Sequence, residues 1–421
     1  MREDLQLPDL LSVDEAVDRI LSGIPALSDE NVPLMQALGR VLAEPAVAEI
    51  SLPPFANSSM DGFAVRSGNT RYATPEQPAL LRVMMDIPAG SNPEGNLNPG
   101  QCARIMTGAP LPQDADAVVP VEDTDQEWKA GENPPLPTLI GVRKVAHPGD
   151  YVRPIGEDIQ AGQTVLTAGT VIRAQELGVL AALGQAHVKV KHRPRVAILS
   201  SGDELVGVDE PLTPGKIRDV NTYTLYGLVE ANGGEAIVIP KANDTLEDVR
   251  RSFNEALSHQ PDLILSSAGV SVGTFDVVRE VMSEMGKIDF WRVNLRPGKP
   301  LAYGTLGDVP FFGLPGNPVS AMVTFDLFVR PALLKMSGRP STVPTVEATL
   351  RDALTSDGRR SYIRVKLTRE DGQWFAESTG TQSSGALMSM VLADGLLVIP
   401  ENVTQARAGE KFTVRLLRNV E

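Results

Sequence analysis

The chain has 421 residues, with 53 Asp or Glu against 39 Lys or Arg, giving a net charge of −14. So acidic an average surface repels nucleic acid and anionic membrane alike, which excludes general binders of either. One cysteine, Cys102, excludes an intrachain disulfide and a thiolate zinc cluster, and four histidines (His147, His187, His192 and His259) leave little material for a histidine-based metal site. At about 150 residues per domain the length predicts roughly three domains, and a hydrophobic fraction of 42% predicts folded ones. The segment MREDLQLPDLLSV carries acids where a signal peptide is basic. No apolar run approaches the ~20 residues a bilayer needs, so the expected location is the cytoplasm.

Residues 12–43 (SVDEAVDRILSGI, then NVPLMQALGRVLA) have helical apolar spacing, with Ser12 placed as N-cap and Glu15 as its capping-box partner. From 51 to 142 the pattern changes to short strand-like runs (DGFAVRS, ALLRVMM, CARIMTG, DAVVPVE) between turns such as PAGSNPEGNLNPG. This predicts a β module inserted into a longer element, and residues 143–190, with strand, turn and one helix, supply that element's second half. Between 191 and 337 strands alternate with helices: RVAILSS, TYTLYGLVEANGG, EAIVIP, TLEDVRRSFNEAL, DLILSSA, FDVVREVMSEMG, FFGL. That alternation predicts a doubly wound, mostly parallel α/β sheet with helices on both faces and ligands at the carboxyl ends of its strands. Residues 338–421 are β again, with a hairpin signal at Asp371-Gly372. The expected domains are 1–50 with 143–190, 51–142, 191–337 and 338–421.

The loop after DLILSS reads AGVSVGTFD, and Gly269-Val-Ser271-Val-Gly273 satisfies G-x-S-x-G. A hydrolase triad of that type places its His after the Ser, whereas every histidine here precedes Ser271, so the base is missing. The loop instead suits an anion held by backbone N–H groups, with Ser271 adding a hydroxyl; a tight glycine turn without a ligand is the other reading. Asp276 opens the following helix, as an N-cap or facing a ligand. Asp244 begins DTLE, a capping box with Glu247, and Glu204 lies in the loop LSSGDEL, as an exposed acid or a ligand. In FWRVNLRPGKP, strand alternation puts Arg292, Asn294 and Arg296 on one face, with Lys299 just beyond: a local positive island suited to a tetrahedral oxyanion, or a solvated basic face. In GLPGNPVS, Pro315, Gly316 and Asn317 lead into a long amphipathic helix whose first N–H groups are free. Oxygen-bearing acids (Glu204, Asp244, Asp276) beside cations (Arg292, Arg296, Lys299) suggest magnesium and a phosphorylated substrate. No strand is followed by G-x-G-x-x-G, so a nicotinamide site is disfavoured.

Seven blocks in order, PPFANSSMDGFAVR, RIMTGAPLPQDADAVV, RPIGEDI, SSGDEL, SSAGVSVGTFD, LRPGKP and GLPGNPVSA, resemble the molybdopterin molybdenumtransferase (MoeA) family, to which the catalytic domain of gephyrin is similar. The resemblance implies an elongated four-domain homodimer with active sites shared between subunits: a linker and dimerisation domain, an inserted β domain, the α/β molybdopterin-binding domain and a C-terminal β-barrel-like domain. It implies magnesium-dependent conversion of adenylated molybdopterin and molybdate to molybdenum cofactor, with AMP released. By motif, Asp61 and Thr107 would reach the partner subunit's site. Glu204, Asp244 and Asp276 would serve magnesium and the adenylyl phosphates, beside Ser271 and Gly273. Arg296, Lys299 and Pro300 would line the molybdate site, which Arg364 and Ser384 close. Expected partners are the upstream molybdopterin adenylyltransferase and downstream cofactor-handling proteins. Many family members carry lysines where this chain has Arg292 and Arg296, and Ala268 replaces the more usual second glycine. Two other classes fit parts of the pattern: a gephyrin-like scaffold, and a magnesium-dependent nucleotide or phosphate hydrolase.

Overall fold

A computed structural model describes residues 10–128, 135–267 and 274–420. They form two compact units, one of Pro33–Met35 with Glu44–His187 and the other of the remaining chain. The larger unit begins with α1 (Val13–Gly23), whose Ser12 hydroxyl accepts the Glu15 N–H at 3.1 Å. The Glu15 carboxylate turns to Arg19 at 2.9 Å, so one half of the capping box is seen. Val13, Ala16 and Ile20 form the buried stripe at helical spacing. The helical expectation fails beyond this point. Asp29–Pro33 is a strand and Leu34–Gln36 a single 3₁₀ turn. Pro33 lacks the N–H a helix needs, and Gly39 at φ +75° turns the chain left-handed.

In the smaller unit, β1 (Gly62–Val65), β2 (Ala79–Ile87), β3 (Gln101–Ile105), β4 (Ala117–Pro120) and β5 (Leu139–Val142) form a sheet of order β4-β1-β3-β2-β5. Only β2 and β3 run parallel. Successive side chains serve opposite faces: Phe63, Val65 and Cys102 pack in one cluster, Ala64, Ala103 and Val118 in another. Burial pushes the Cys102 thiol up to about 12, so it is a core residue and no nucleophile. Helix α2 (Ala174–Ala182) follows in the same unit.

The larger unit then alternates as expected: β6 (Arg195–Ser200), α3 (Asn221–Ala231), β7 (Glu235–Val238), α4 (Leu246–Ser258), β8 (Leu263–Ser267), α5 (Thr274–Met285). Next come β9 (Gly286–Arg292), β10 (Leu295–Arg296), β11 (Pro300–Leu306) and β12 (Val309–Leu314). The sheet order is β7-β6-β8-β12-β11-β9, parallel from β7 to β12, with β11 and β9 antiparallel. Strands covered on both faces need continuous apolar runs, which is how VAIL, LIL and FFGL read. One face packs on α1, α3 and the last helix through Val196, Leu263 and Phe312. The other packs on α4 and α5 through Ala197, Ile264 and Phe311.

That last helix departs from expectation. It runs as α6 (Pro318–Thr324), a π turn (Phe325–Val329) and α7 (Arg330–Met336), and the π turn is buried throughout. The Arg330 N–H bonds five residues back to the Phe325 carbonyl. Pro331 cannot donate and its ring would clash one turn back, so a wider turn absorbs it.

The C-terminal strands are β13 (Thr345–Leu350), β14 (Arg360–Glu370), β15 (Gln373–Ser378), β16 (Gly395–Ile399) and β17 (Lys411–Leu416), with α8 (Leu387–Val391) before β16. Order β14-β15-β13-β17-β16 with β16 pairing back to β14 closes a five-stranded barrel. The β14–β15 turn is the expected hairpin, with Asp371 at φ +48° and Gly372 at φ +79°. Strand β10 runs beside this barrel, pairing Leu295 with Arg360 and Arg296 with Ser361. The expected single cation strand is therefore two short ones in two sheets. The alternation survives the break: Val293 and Leu295 are buried, and Arg292 and Arg296 exposed.

Candidate active site

Two groups of polar side chains in the larger unit stand out. The first lies at the carboxyl edge of the parallel strands. There Ser201 Oγ, Ser267 Oγ, Asn221 Oδ1 and Asp244 Oδ1 are buried without a hydrogen-bond partner among the described residues. Buried polar atoms are normally satisfied, so this edge, where the residues after Ser267 lie outside the described ones, gathers polar groups suited to a ligand. The Asp244 carboxyl is raised above its ordinary value, first by burial and then by neighbouring Asp203 and Glu204. The Ser201 hydroxyl beside it acts in the opposite sense, favouring the carboxylate. Loop 202–205 is held by Lys241 Nζ on the Leu205 carbonyl at 3.0 Å and by Lys216 on the Asp203 carbonyl. Glu204 is exposed there.

The two capping readings are corrected. Thr245, one residue after Asp244, is the N-cap of α4 and accepts the Asp248 N–H at 3.2 Å. Asp276 is the third residue of α5, inside the helix. Ser271, Gly273 and the Asp276 side chain lie outside the described residues, so the expected metal set of Glu204, Asp244 and Asp276 is described only in part. Among the described residues no three acids, histidines or cysteines are arranged to hold a metal. An unpartnered, partly desolvated carboxylate oxygen on Asp244 with Glu204 close by is the oxygen chemistry a magnesium ion takes.

The second group lines a cavity of about 680 Å³ between β10, α6 and the barrel. It brings together Arg296, Lys299, Pro300, Arg364 and Ser384, and adds Arg359, which sequence reasoning missed. Arg364 is 1% exposed yet faces only neutral acceptors: Ser389 Oγ at 3.1 Å and the carbonyls of Ser383 at 3.0 Å and Thr381 at 3.4 Å. Burial, then the nearby Arg296 charge, lowers its guanidinium to about 10. A buried cation without a carboxylate, repelled by a second cation, awaits an anion. Asp357 bonds Arg359 and lies 3.9 Å from Arg296, so these two are partly compensated. Arg292, exposed at the end of β9 opposite Pro300, does not line the cavity.

The GLPGNP turn joins the two groups. Asn221 Nδ2 donates to the Gly316 carbonyl at 2.8 Å, while the Val319 N–H donates to the Ser384 carbonyl at 3.0 Å, so one expected free helix N–H is already engaged. Pro315 is buried; Gly316 and Asn317 are exposed. Gly298, at φ +111°, has no room for a side chain, because a Cβ would lie 2.6 Å from Thr324 Cγ2. Gly298→Ala is expected to lower stability by about 2 kcal/mol through strain and overpacking, read as a fall in the urea midpoint at unchanged slope.

In the smaller unit Asp61 and Thr107 meet. Asp61 Oδ1 accepts both the N–H and the hydroxyl of Thr107 at 2.7 Å, and both residues are exposed.

Three family models cover most of the chain: the MoeA N-terminal region (domain I and II) over residues 11–184, a probable molybdopterin binding domain over 197–335, and the MoeA C-terminal region (domain IV) over 347–417. The chain is 38% identical over 415 residues to a molybdopterin molybdenumtransferase of Nostoc sp., covering 96% of this chain and 93% of that one. The chain belongs to the MoeA family. A second relative, molybdopterin molybdenumtransferase 2 of Mycobacterium tuberculosis, is 39% identical over 391 residues, covering 91% of this chain and 94% of that one. A crystal structure of the molybdopterin biosynthesis MoeA protein from Pyrococcus horikosii superposes with a TM-score of 0.79 at 32% identity, covering 98% and 100% of the two chains. In this MoeA chain no described helix is long and apolar enough to cross a membrane.

Proposed function

We propose that this protein is a molybdopterin molybdenumtransferase, acting in molybdenum cofactor synthesis by joining molybdate to adenylated molybdopterin with release of AMP. The buried, uncompensated guanidinium of Arg364 carries the reading, because it gives a cavity with Arg296, Lys299 and Arg359 a standing need for a small multivalent oxyanion. Molybdate, doubly negative and tetrahedral, is such a substrate, and forked guanidinium groups pair with its oxygens. The carboxyl-edge group, with its orphaned hydroxyls and Asn221 amide oxygen, is assigned to the adenylated pterin. Glu204, Asp244 and Asp276 would hold magnesium, which supplies Lewis-acid neutralisation of charge on the phosphoanhydride. Ser271 and Gly273 would add donors to the adenylyl phosphates. Pro300 and Ser384 bound the molybdate cavity, and Pro315, Gly316 and Asn317 set the turn between the two subsites.

Asp61 and Thr107, locked together at an exposed turn, are read as completing the site of a second copy in a homodimer. The upstream molybdopterin adenylyltransferase is the proposed source of the substrate. Gephyrin-like scaffolding alone leaves a buried lone cation unexplained. A phosphate hydrolase leaves the second cavity without use.

The deciding experiment incubates the protein with adenylated molybdopterin and magnesium, and follows AMP release and reactivation of a cofactor-free molybdoenzyme. Molybdate-dependent release with reactivation is expected. Release indifferent to molybdate would favour the hydrolase, and none at all the scaffold. Lys299→Ala is expected to raise half-saturation for molybdate about tenfold while that for the adenylate changes less than about twofold. Equal loss for both ligands would contradict separate subsites.

A further inference from the structure

At the amino ends of the parallel strands, where β6 starts at Arg195 and β7 at Glu235, lies a second cavity of about 630 Å³. A six-residue strand carries the chain about 20 Å, so this cavity is a sheet's depth from the carboxyl-edge group. Its wall holds four arginines (Arg40, Arg193, Arg195, Arg339) against three glutamates (Glu30, Glu230, Glu235), an excess of positive charge in a chain of net charge −14. Two of the arginines are compensated: Arg40 pairs with Glu30, and Arg193 lies 3.1 Å from Glu230. The other two are not. Among the described residues the Arg195 guanidinium reaches only the Gln260 carbonyl, at 3.3 Å, and the Arg339 guanidinium only the carbonyl of Gly39. Neither guanidinium forms an ion pair, although Glu235 lies opposite Arg195 in the sheet register and the Arg195 backbone N–H donates to Asp262 Oδ2 at 2.8 Å.

The wall makes room for the Arg339 guanidinium. Gly233 sits at φ +83°, and a Cβ there would come within 2.7 Å of the guanidinium carbon. Burial and the adjacent Arg193 charge hold Arg339 below its ordinary range, so the cation is kept in place against both desolvation and repulsion. His192 also lines the wall, with its Nδ1–H spent on the Arg193 carbonyl at 2.8 Å.

We propose that this cavity is a binding site for a phosphate group, distinct from the molybdate cavity, with Arg339 and Arg195 as its principal ligands. Two planar donor forks that form no ion pair match the oxygens of a phosphate, which would also relieve the Arg193–Arg339 repulsion. The site goes beyond the transferase reaction and does not depend on it.

Calorimetric titration of the full-length protein with inorganic phosphate, and separately with glycerol 3-phosphate, tests it. Binding is expected in the wild type and should persist in Arg364→Met, which removes the cation of the molybdate cavity. Arg339→Gln and Arg195→Gln should each weaken it about tenfold or more. Should Arg339→Gln not fold, Arg195→Gln, which changes a half-buried residue with one carbonyl contact, decides alone. Loss only in Arg364→Met would place phosphate in the molybdate cavity and overturn the assignment, as would wild-type affinity in both glutamine variants or no binding at millimolar phosphate. Binding of the ester as well as free phosphate identifies the ligand as a phosphorylated metabolite; binding of phosphate alone identifies it as the free ion.

Discussion

Replacing Arg364 by methionine is expected to reduce molybdate-dependent AMP release by about 100-fold, since truncating one partner of a buried charge pair costs roughly 2–5 kcal/mol. The same change should lower stability by only about 1–3 kcal/mol, since the lost bonds to Ser389, Ser383 and Thr381 are partly offset by removal of an unpaired buried charge. The loop around it is bonded by the guanidinium and has a second anchor as well. The Arg364 backbone N–H donates to Gln382 Oε1 at 3.0 Å and its carbonyl accepts Gln382 Nε2 at 3.1 Å, so the stitch survives the substitution. A thermal melt and a molybdate titration on the same sample separate the two effects. A collapse of stability with unchanged molybdate response would show that Arg364 is structural and that the anion is held elsewhere.

Asp244→Asn is expected to lower magnesium-dependent adenylate cleavage on the order of 100-fold, about 2.7 kcal/mol of transition-state stabilisation. Stability should move the other way. The folded state raises this carboxyl above its unfolded value, so its charged form is disfavoured in the fold. That penalty is absent below the unfolded value, grows as pH rises through the two, and is complete above the folded one. At neutral pH the neutral amide should therefore match or exceed wild-type stability in the absence of magnesium. Adding magnesium should raise the melting temperature of the wild type, more at neutral pH than in acid, and leave Asp244→Asn unmoved. A magnesium shift equal in both proteins would remove Asp244 from the metal set.

The parts of this molecule that were legible in its sequence are those fixed by local chemistry. Continuous apolar runs ending in serine gave away β6 and β8, Ser12 the start of α1, and Asp371-Gly372 the barrel hairpin. Long-range pairing was not legible. Nothing near Leu295 signals that it leaves one sheet to lie beside Arg360, or that Asp357 and Arg359, some sixty residues on, meet Arg296. Asp244 had the wrong reason attached: DTLE looks like a cap that begins at its aspartate, yet the threonine caps and the acid is left facing inward. The Arg364 side chain sits in an ordinary strand pattern, and only the closed barrel makes it a buried cation.

The passage of β9 into β10 carries a mechanical consequence. A few residues link the last strand of the α/β sheet to the wall of the barrel, and Arg296 and Lys299 sit on or just past that link while Arg364 belongs to the barrel itself. The cavity is thus a joint with cations on both of its members. Any tilt of the barrel against the sheet alters the spacing of those charges directly, and an oxyanion gripping both would act as a clasp that stiffens the joint. Occupancy of the cavity and rigidity of the barrel's seating are then one variable, readable as slower amide exchange at Leu295 and Ser361 when molybdate is added.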